Sequence, residues 1–231
     1  DWGDDSWSDD SWNEEADSSL PWHGFVETAI GARLDEDPAL PDDDLSLADL
    51  RAQLEISDYV GENRYSLKAD LYADGVEHGV HGELREALLD LSPSENTDLR
   101  VGQQILTWGT GDLLFINDLF PKDWVSYFAG RDDQYLKAPS ASAKLSYYND
   151  RANLDLVWTP RFTHDRFIDG ERFSYFNAMS GLQSSAHLVP VEPEDAPDNG
   201  EMALRLYGSI DSTEWALYAY RGFWKQPNAI T

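Results

Sequence analysis

With 44 Asp and Glu among 231 residues, against 17 Lys and Arg and 5 His, carboxylate chemistry is the first to weigh. Two carboxyl groups about 5 to 10 Å apart can hydrolyse a glycosidic bond, one as acid and the other as base or nucleophile. At this density of acids some pair always lies near another, so spacing selects no candidate. Asp35, Glu36, Asp37, Asp42, Asp43 and Asp44 cluster in one stretch and offer the hard oxygen ligands that Ca²⁺ takes. The stretch lacks the central glycine and final glutamate of an EF-hand loop, so it reads as a solvated acidic loop. His23, His78, His81, His164 and His187 occur in no HExxH, HxH or triad-like context. His78 and His81 are close enough in sequence to suggest a metal, yet read more simply as a satisfied or solvent-exposed pair. No GxSxG, P-loop or Rossmann fingerprint stands in a strand-to-helix context. The expectation is a protein that is not an enzyme, with no catalytic residue, resident metal or cofactor.

The basic residues are more telling, because most of them occupy one phase of an alternating pattern. In residues 49–57, Leu50, Ala52, Leu54 and Ile56 fall on one side and Asp49, Arg51, Gln53, Glu55 and Ser57 on the other. Successive strand side chains point to opposite faces, so this segment has one apolar and one wet side. Residues 64–72 repeat it, with Tyr65, Leu67, Ala69 and Leu71 against Arg64, Ser66, Lys68, Asp70 and Tyr72. Further copies are 23–34, 98–108, 140–148, 152–162, 201–210 and 213–224. The weakest is 82–91, where Leu84 is out of phase with Ala87, Leu89 and Leu91 and a β-bulge is required.

The connections alternate as well. Residues 61–63, 92–96, 149–150 and 211–212 are hairpin-sized and rich in turn formers. Residues 35–46, 73–81, 109–139 and 163–200 are long. Strands of about ten residues with tight turns on one side and long loops on the other are the sequence pattern of a transmembrane β-barrel. The fold class expected is therefore all-β, an antiparallel up-and-down barrel occupying residues 21–231. In such a barrel Arg51, Arg64, Lys68, Arg100, Gln104, Lys144, Arg161 and Arg205 line the lumen, which is mixed or locally basic.

Residues 109–139 abandon the alternation and carry Leu113, Leu114, Phe115, Ile116, Phe120, Trp124, Tyr127 and Phe128. Connections of this length are uncommon unless functional. A loop so apolar must lie against protein, either dipping into the barrel as a constriction or forming an external cap or subunit contact. The inward fold brings Asp112, Asp118, Lys122, Asp123 and Arg131 into the path of a solute. Residues 163–200 are expected as a long extracellular loop, and residues 1–20, acidic and without a basic residue, as a disordered leader carrying Trp2, Trp7 and Trp12.

Composition excludes several classes. A formal net charge of -27 and pI near 4.2 argue against nucleic acid, whose phosphates need Lys and Arg. The absence of cysteine excludes disulfides. No run approaches the roughly 20 apolar residues of a membrane helix, a test that leaves a barrel open.

The stretch RVGQQILTWGTGDLLFINDLFPKDW, followed by YLKAPSASAKLSYYNDRANLDLVWTPRF, resembles uncharacterised porin-like outer-membrane proteins of Gram-negative bacteria. In these a VGxQxxxWG strand precedes a long inserted segment. It is more distantly similar to alginate-export and phosphate-selective porins. The likeness spans roughly residues 24–176 and rests on Gly102, Gln104, Trp108, Gly109, Asp118 and Pro121. It implies a barrel in the outer membrane, passive transport of small polar or anionic solutes, contact with outer-membrane lipid and lipopolysaccharide, and no catalytic residues. It also admits a homo-oligomer. Phosphate-selective members depend on ladders of Arg and Lys, and 17 basic residues against 44 acids do not provide one.

Nine strands is an odd count, whereas bacterial single-chain barrels have even numbers. The expectation is thus the N-terminal part of a barrel of about 12 to 18 strands, seen as a curved open sheet with two free edges. The rivals are a secreted acidic β-sandwich that binds carbohydrate through exposed Trp and Tyr, and a barrel that is a non-conducting scaffold.

Overall fold

The computed structural model describes residues 21–40, 44–108, 117–195 and 197–227. The acidic leader and Asp112 lie outside them. All nine alternating segments are strands of one antiparallel sheet. They are β1 (Trp22–Ala32), β2 (Leu45–Val60), β3 (Asn63–Asp74), β4 (Gly79–Ser94), β5 (Thr97–Gln104), β6 (Ser140–Tyr147) and β7 (Asn153–Thr159), followed after an excursion by β10 (Glu201–Ile210) and β11 (Thr213–Arg221). The excursion contains a small hairpin, β8 (Tyr175–Asn177) with β9 (Leu182–Ser184). Sheet order is β1-β2-β3-β4-β5-β6-β7-β10-β11, a meander in which each strand pairs with its chain neighbour. Among the described residues β1 and β11 each have one partner, so the sheet is open and no barrel closes.

Three expectations about boundaries are corrected. The connection at 73–81 is not long: β3 continues to Asp74 and β4 begins at Gly79. Asp74 Oδ1 accepts hydrogen bonds from the backbone N–H groups of Val76 (2.9 Å) and Glu77 (3.1 Å), which makes the link a tight turn. The fifth segment leaves the sheet after Gln104 instead of reaching Trp108, and the seventh after Thr159. Leu106 and Trp108 instead turn inward to form a buried apolar cluster with Val157 and Ala203, with Leu119 packed against it.

The bulge required in 82–91 lies at Arg85. Lys68 pairs with Glu86 and Ala69 with Leu84, which leaves Arg85 as the extra residue and restores phase to the leucines that follow. Register then aligns the apolar positions into rows across the strands, such as Leu91, Leu99, Leu145, Leu156 and Leu204.

Burial on the two faces is the reverse of a soluble fold. Val26, Leu50 and Leu71 are 73%, 57% and 60% exposed, whereas Arg51, Asp70 and Arg85 on the opposite face are each 3% exposed. The polar face is covered by the inserted segment. There Asp123 caps the short helix α1 (Trp124–Ala129) by accepting from Ser126 N at 2.7 Å, and Gly130 ends it in the left-handed conformation. A 3-10 turn at Asp133–Leu136 follows. Among the described residues no helix is long and apolar enough to cross a membrane.

Candidate functional site

Strand register places the ionic groups of the covered face. β2–β3 pairing sets Gln53 opposite Asp70 and Arg51 opposite Tyr72. Arg51 donates to Asp70 Oδ2 and Gln53 to Asp70 Oδ1, both at 2.8 Å, so both carboxylate oxygens are engaged. The Arg51 guanidinium is sandwiched between the rings of Tyr72 (4.2 Å) and Tyr135 (4.0 Å), the second supplied by the inserted segment. Burial pushes the Tyr135 phenol above its ordinary pKa.

The insertion is tied down by further arginines. Arg131 reaches back to the wall, with Nε 2.8 Å from Asp49 Oδ2 and Nη2 3.1 Å from Asp74 Oδ2. Burial opposes its charge, but Asp49 more than offsets this and raises its pKa. Arg85 donates from the bulge to the carbonyls of Gln134 and Lys137. Two more arginines arrive from the loop after β7. Arg172, 1% exposed, donates to Asp74, to Glu77 Oε1 at 3.1 Å and to Ser46 O at 2.9 Å. Arg166 contacts Glu83 at 2.5 Å and Asp123 at 3.0 Å. Burial works against its charge, and those two carboxylates hold it above the ordinary value all the same. Each of these guanidinium groups has an acid or a carbonyl against it, so the network acts as an internal brace and does not form a bed of open cationic sites.

The expected wall residues take up this face with one exception. Lys68 pairs with Glu55 at 2.5 Å, Arg100 with Asp90 at 2.6 Å and Lys144 with Asp155 at 3.5 Å. Arg64 stands opposite Asp90 in register, Gln104 donates to Ser142 O at 3.1 Å, and Arg205 stacks on Tyr207 at 4.1 Å. Arg161 keeps the right phase but lies beyond the end of β7. It is exposed and pairs with Asp195 at 3.2 Å, and so is not part of the wall. Of the two expected characters of this face, mixed or locally basic, the structure has the mixed one, since the strands carry an acid beside nearly every base. Of the insertion residues, Asp118 accepts from the Thr107 hydroxyl, Asp123 holds α1, Arg131 clasps the wall, and Lys122 lines a cavity.

Asp49, Asp70, Asp74 and Glu83 could have been found as the wet-phase acids of their strands. Arg166, Arg172, Tyr135 and Asp165 carry no periodic signal, because their places are set by loops folding onto the sheet. Asp165, 2% exposed, accepts from Lys122 N at 2.8 Å and from Trp124 Nε1 at 3.1 Å, pinning the insertion to the later loop.

Beside this brace, a cavity of about 540 Å³ opens between the insertion and the inner side of β11. Trp108, Trp124, Tyr218, Tyr220 and Trp224 face it, together with Lys122, Asp165 and Lys225. Of the acids clustered at 35–44, Asp42 and Asp43 lie outside the described residues, and Asp37 accepts from Ala39 N at 2.9 Å. His81 stacks on Tyr72. Asp169, Glu171 and His187, two of them exposed, do bring their ligand atoms within 4.8 Å of one another.

Fold and face together define an all-β protein built on an open antiparallel meander, with a buried ionic face and an exposed apolar one. Neither the known family models nor the curated proteins contain a match to this chain.

Proposed function

We propose that this sheet is part of the wall of an outer-membrane β-barrel channel, with the remaining wall pairing to the free edges of β1 and β11. The observation that carries the reading is the inverted burial. Rows of Leu and Val are exposed across the outer face, while Arg, Asp and Gln are buried on the inner one. In water such a face would expose a continuous apolar patch far beyond the few hundred Å² typical of soluble monomers. In a bilayer it is the surface that meets lipid. The sandwich rival needs a second sheet over Leu50, Leu54, Leu67 and Leu71, yet these residues are exposed.

The inserted segment narrows the lumen from one side and, being braced by buried ion pairs, is a fixed constriction. Passage is selected by width and by a wall of balanced charge, which favours small polar solutes over phosphate-like anions. The test is reconstitution into planar bilayers, where discrete conductance steps are expected, together with spin labels at Leu54, Leu67 and Leu71, which should report lipid. Water contact at all three labels would overturn the reading.

A further inference from the structure

The cavity beside β11 has a composition that the brace does not explain. Its floor is Trp108, 8% exposed, whose ring lies 5.8 Å from that of Tyr218 at an interplanar angle of 48°. Trp124 is oriented by the bond from its indole N–H to Asp165. Trp224, 71% exposed, stands at the mouth. Aromatic rings placed this way offer flat apolar surfaces at low conformational cost. Among them lies Lys122, half-buried, whose ammonium has no ion pair within 4.0 Å among the described residues. Burial lowers its pKa, with Asp165 and Asp118 pulling the other way.

We propose that this cavity is a binding subsite for a neutral saccharide, the pyranose rings stacking on Tyr218 and Trp224, which are 42% and 71% exposed, and the hydroxyls meeting Lys122, Asn117 and Gln226. The volume of about 540 Å³ falls within the usual range of small-ligand sites. A sugar hydroxyl both donates and accepts, and this site offers a donor, Lys122, beside the amides of Asn117 and Gln226, which do both. An anionic ligand would face Asp118 and Asp165 in a chain of net charge -27, while a cationic one would meet Lys122 and Lys225. The subsite names a solute class for the channel proposed above and depends on that reading only for its part in permeation.

The test is fluorescence and calorimetric titration of the protein in a detergent without a sugar headgroup. The probes are α- and β-linked glucose and galactose disaccharides, a uronic-acid disaccharide, and benzoate. Saturable binding of at least one neutral disaccharide is expected. Trp224→Ala and Lys122→Gln should each weaken it by about tenfold or more. Trp158→Ala, on the outer face and 46% exposed, should leave it unchanged. Trp224 is peripheral enough that its loss spares the fold, which the unheated gel mobility of the variant checks. The subsite is overturned if no neutral disaccharide saturates, if the uronate or benzoate binds more tightly than every neutral sugar, or if both substitutions leave binding unmoved. Conductance on the same preparation separates the two ideas. Current without saturable saccharide binding refutes the subsite alone, and saccharide binding without current refutes passage alone.

Discussion

At the scale of single residues, Arg131 is the clearest point of attachment between the insertion and the wall. It is nearly buried and faces Asp49 and Asp74, themselves 6% and 4% exposed. A buried ion pair contributes little net stability, because desolvation offsets attraction, but removing one partner strands the other. Arg131→Ala is therefore expected to destabilise the folded protein by about 3 to 5 kcal/mol. Urea unfolding in detergent measures the loss, and protease cleavage within 117–139 should accelerate. Asp37 offers a pH-dependent contact of the opposite size. A hydrogen bond from the Ser174 side chain, more than burial opposes it, holds its carboxyl below the ordinary value. A depressed folded-state pKa means stability that is fully present above the unfolded value, about 3.9, and lost as pH falls through the folded one. The melting-temperature gap between the native protein and Asp37→Asn should thus exist at pH 6, begin to narrow below about pH 4 and close only once the pH has fallen below the depressed folded-state value.

At the scale of elements, Gly102 shows why a short motif can be legible before its reason is. Its φ is +134°, and a Cβ there would lie 1.9 Å from the Ala87 carbonyl oxygen across the β4–β5 pair. Gly102→Ala must push two wall strands apart, at an expected cost on the order of 3 kcal/mol. Loss of the compact band in unheated gels checks it. Strand positions were readable because burial on one face imposes a period of two, and that period even required the bulge that Arg85 supplies. The turn at 75–78 reads in the sequence as a long connection over 73–81, since Asp74 closes it through a side chain that no alternation reveals. Arg166 and Arg172 were invisible for a related reason: their partners on β3 and β4 are remote in sequence and are met only after the loop folds inward. On the wall, Arg51 and Lys144 were legible as inward-facing residues. Their neutralisation by Asp70 and Asp155 was less so, because it depends on cross-strand register and not on phase.

At the scale of the whole molecule, the environment of the outer face decides between the membrane reading and the soluble sandwich, and a single substitution type separates them. Leu54 and Leu71 are 47% and 60% exposed and lie in the interior of β2 and β3, away from both turn ends. For a soluble protein an exposed leucine replaced by lysine changes stability by no more than about 0.5 kcal/mol. On a lipid-facing strand near the bilayer midplane the same change costs about 2 to 4 kcal/mol, falling toward zero at the interfaces. Leu71→Lys and Leu54→Lys are expected to show the larger cost when the protein is unfolded by urea from liposomes. Val60→Lys, beside the tight turn at the end of β2, should show little. A flat profile along the strand would place the face in water. A graded one, steep at mid-strand and shallow at the turn, requires hydrocarbon around it, and with hydrocarbon outside, the buried charges of the opposite face can only be the lining of a lumen.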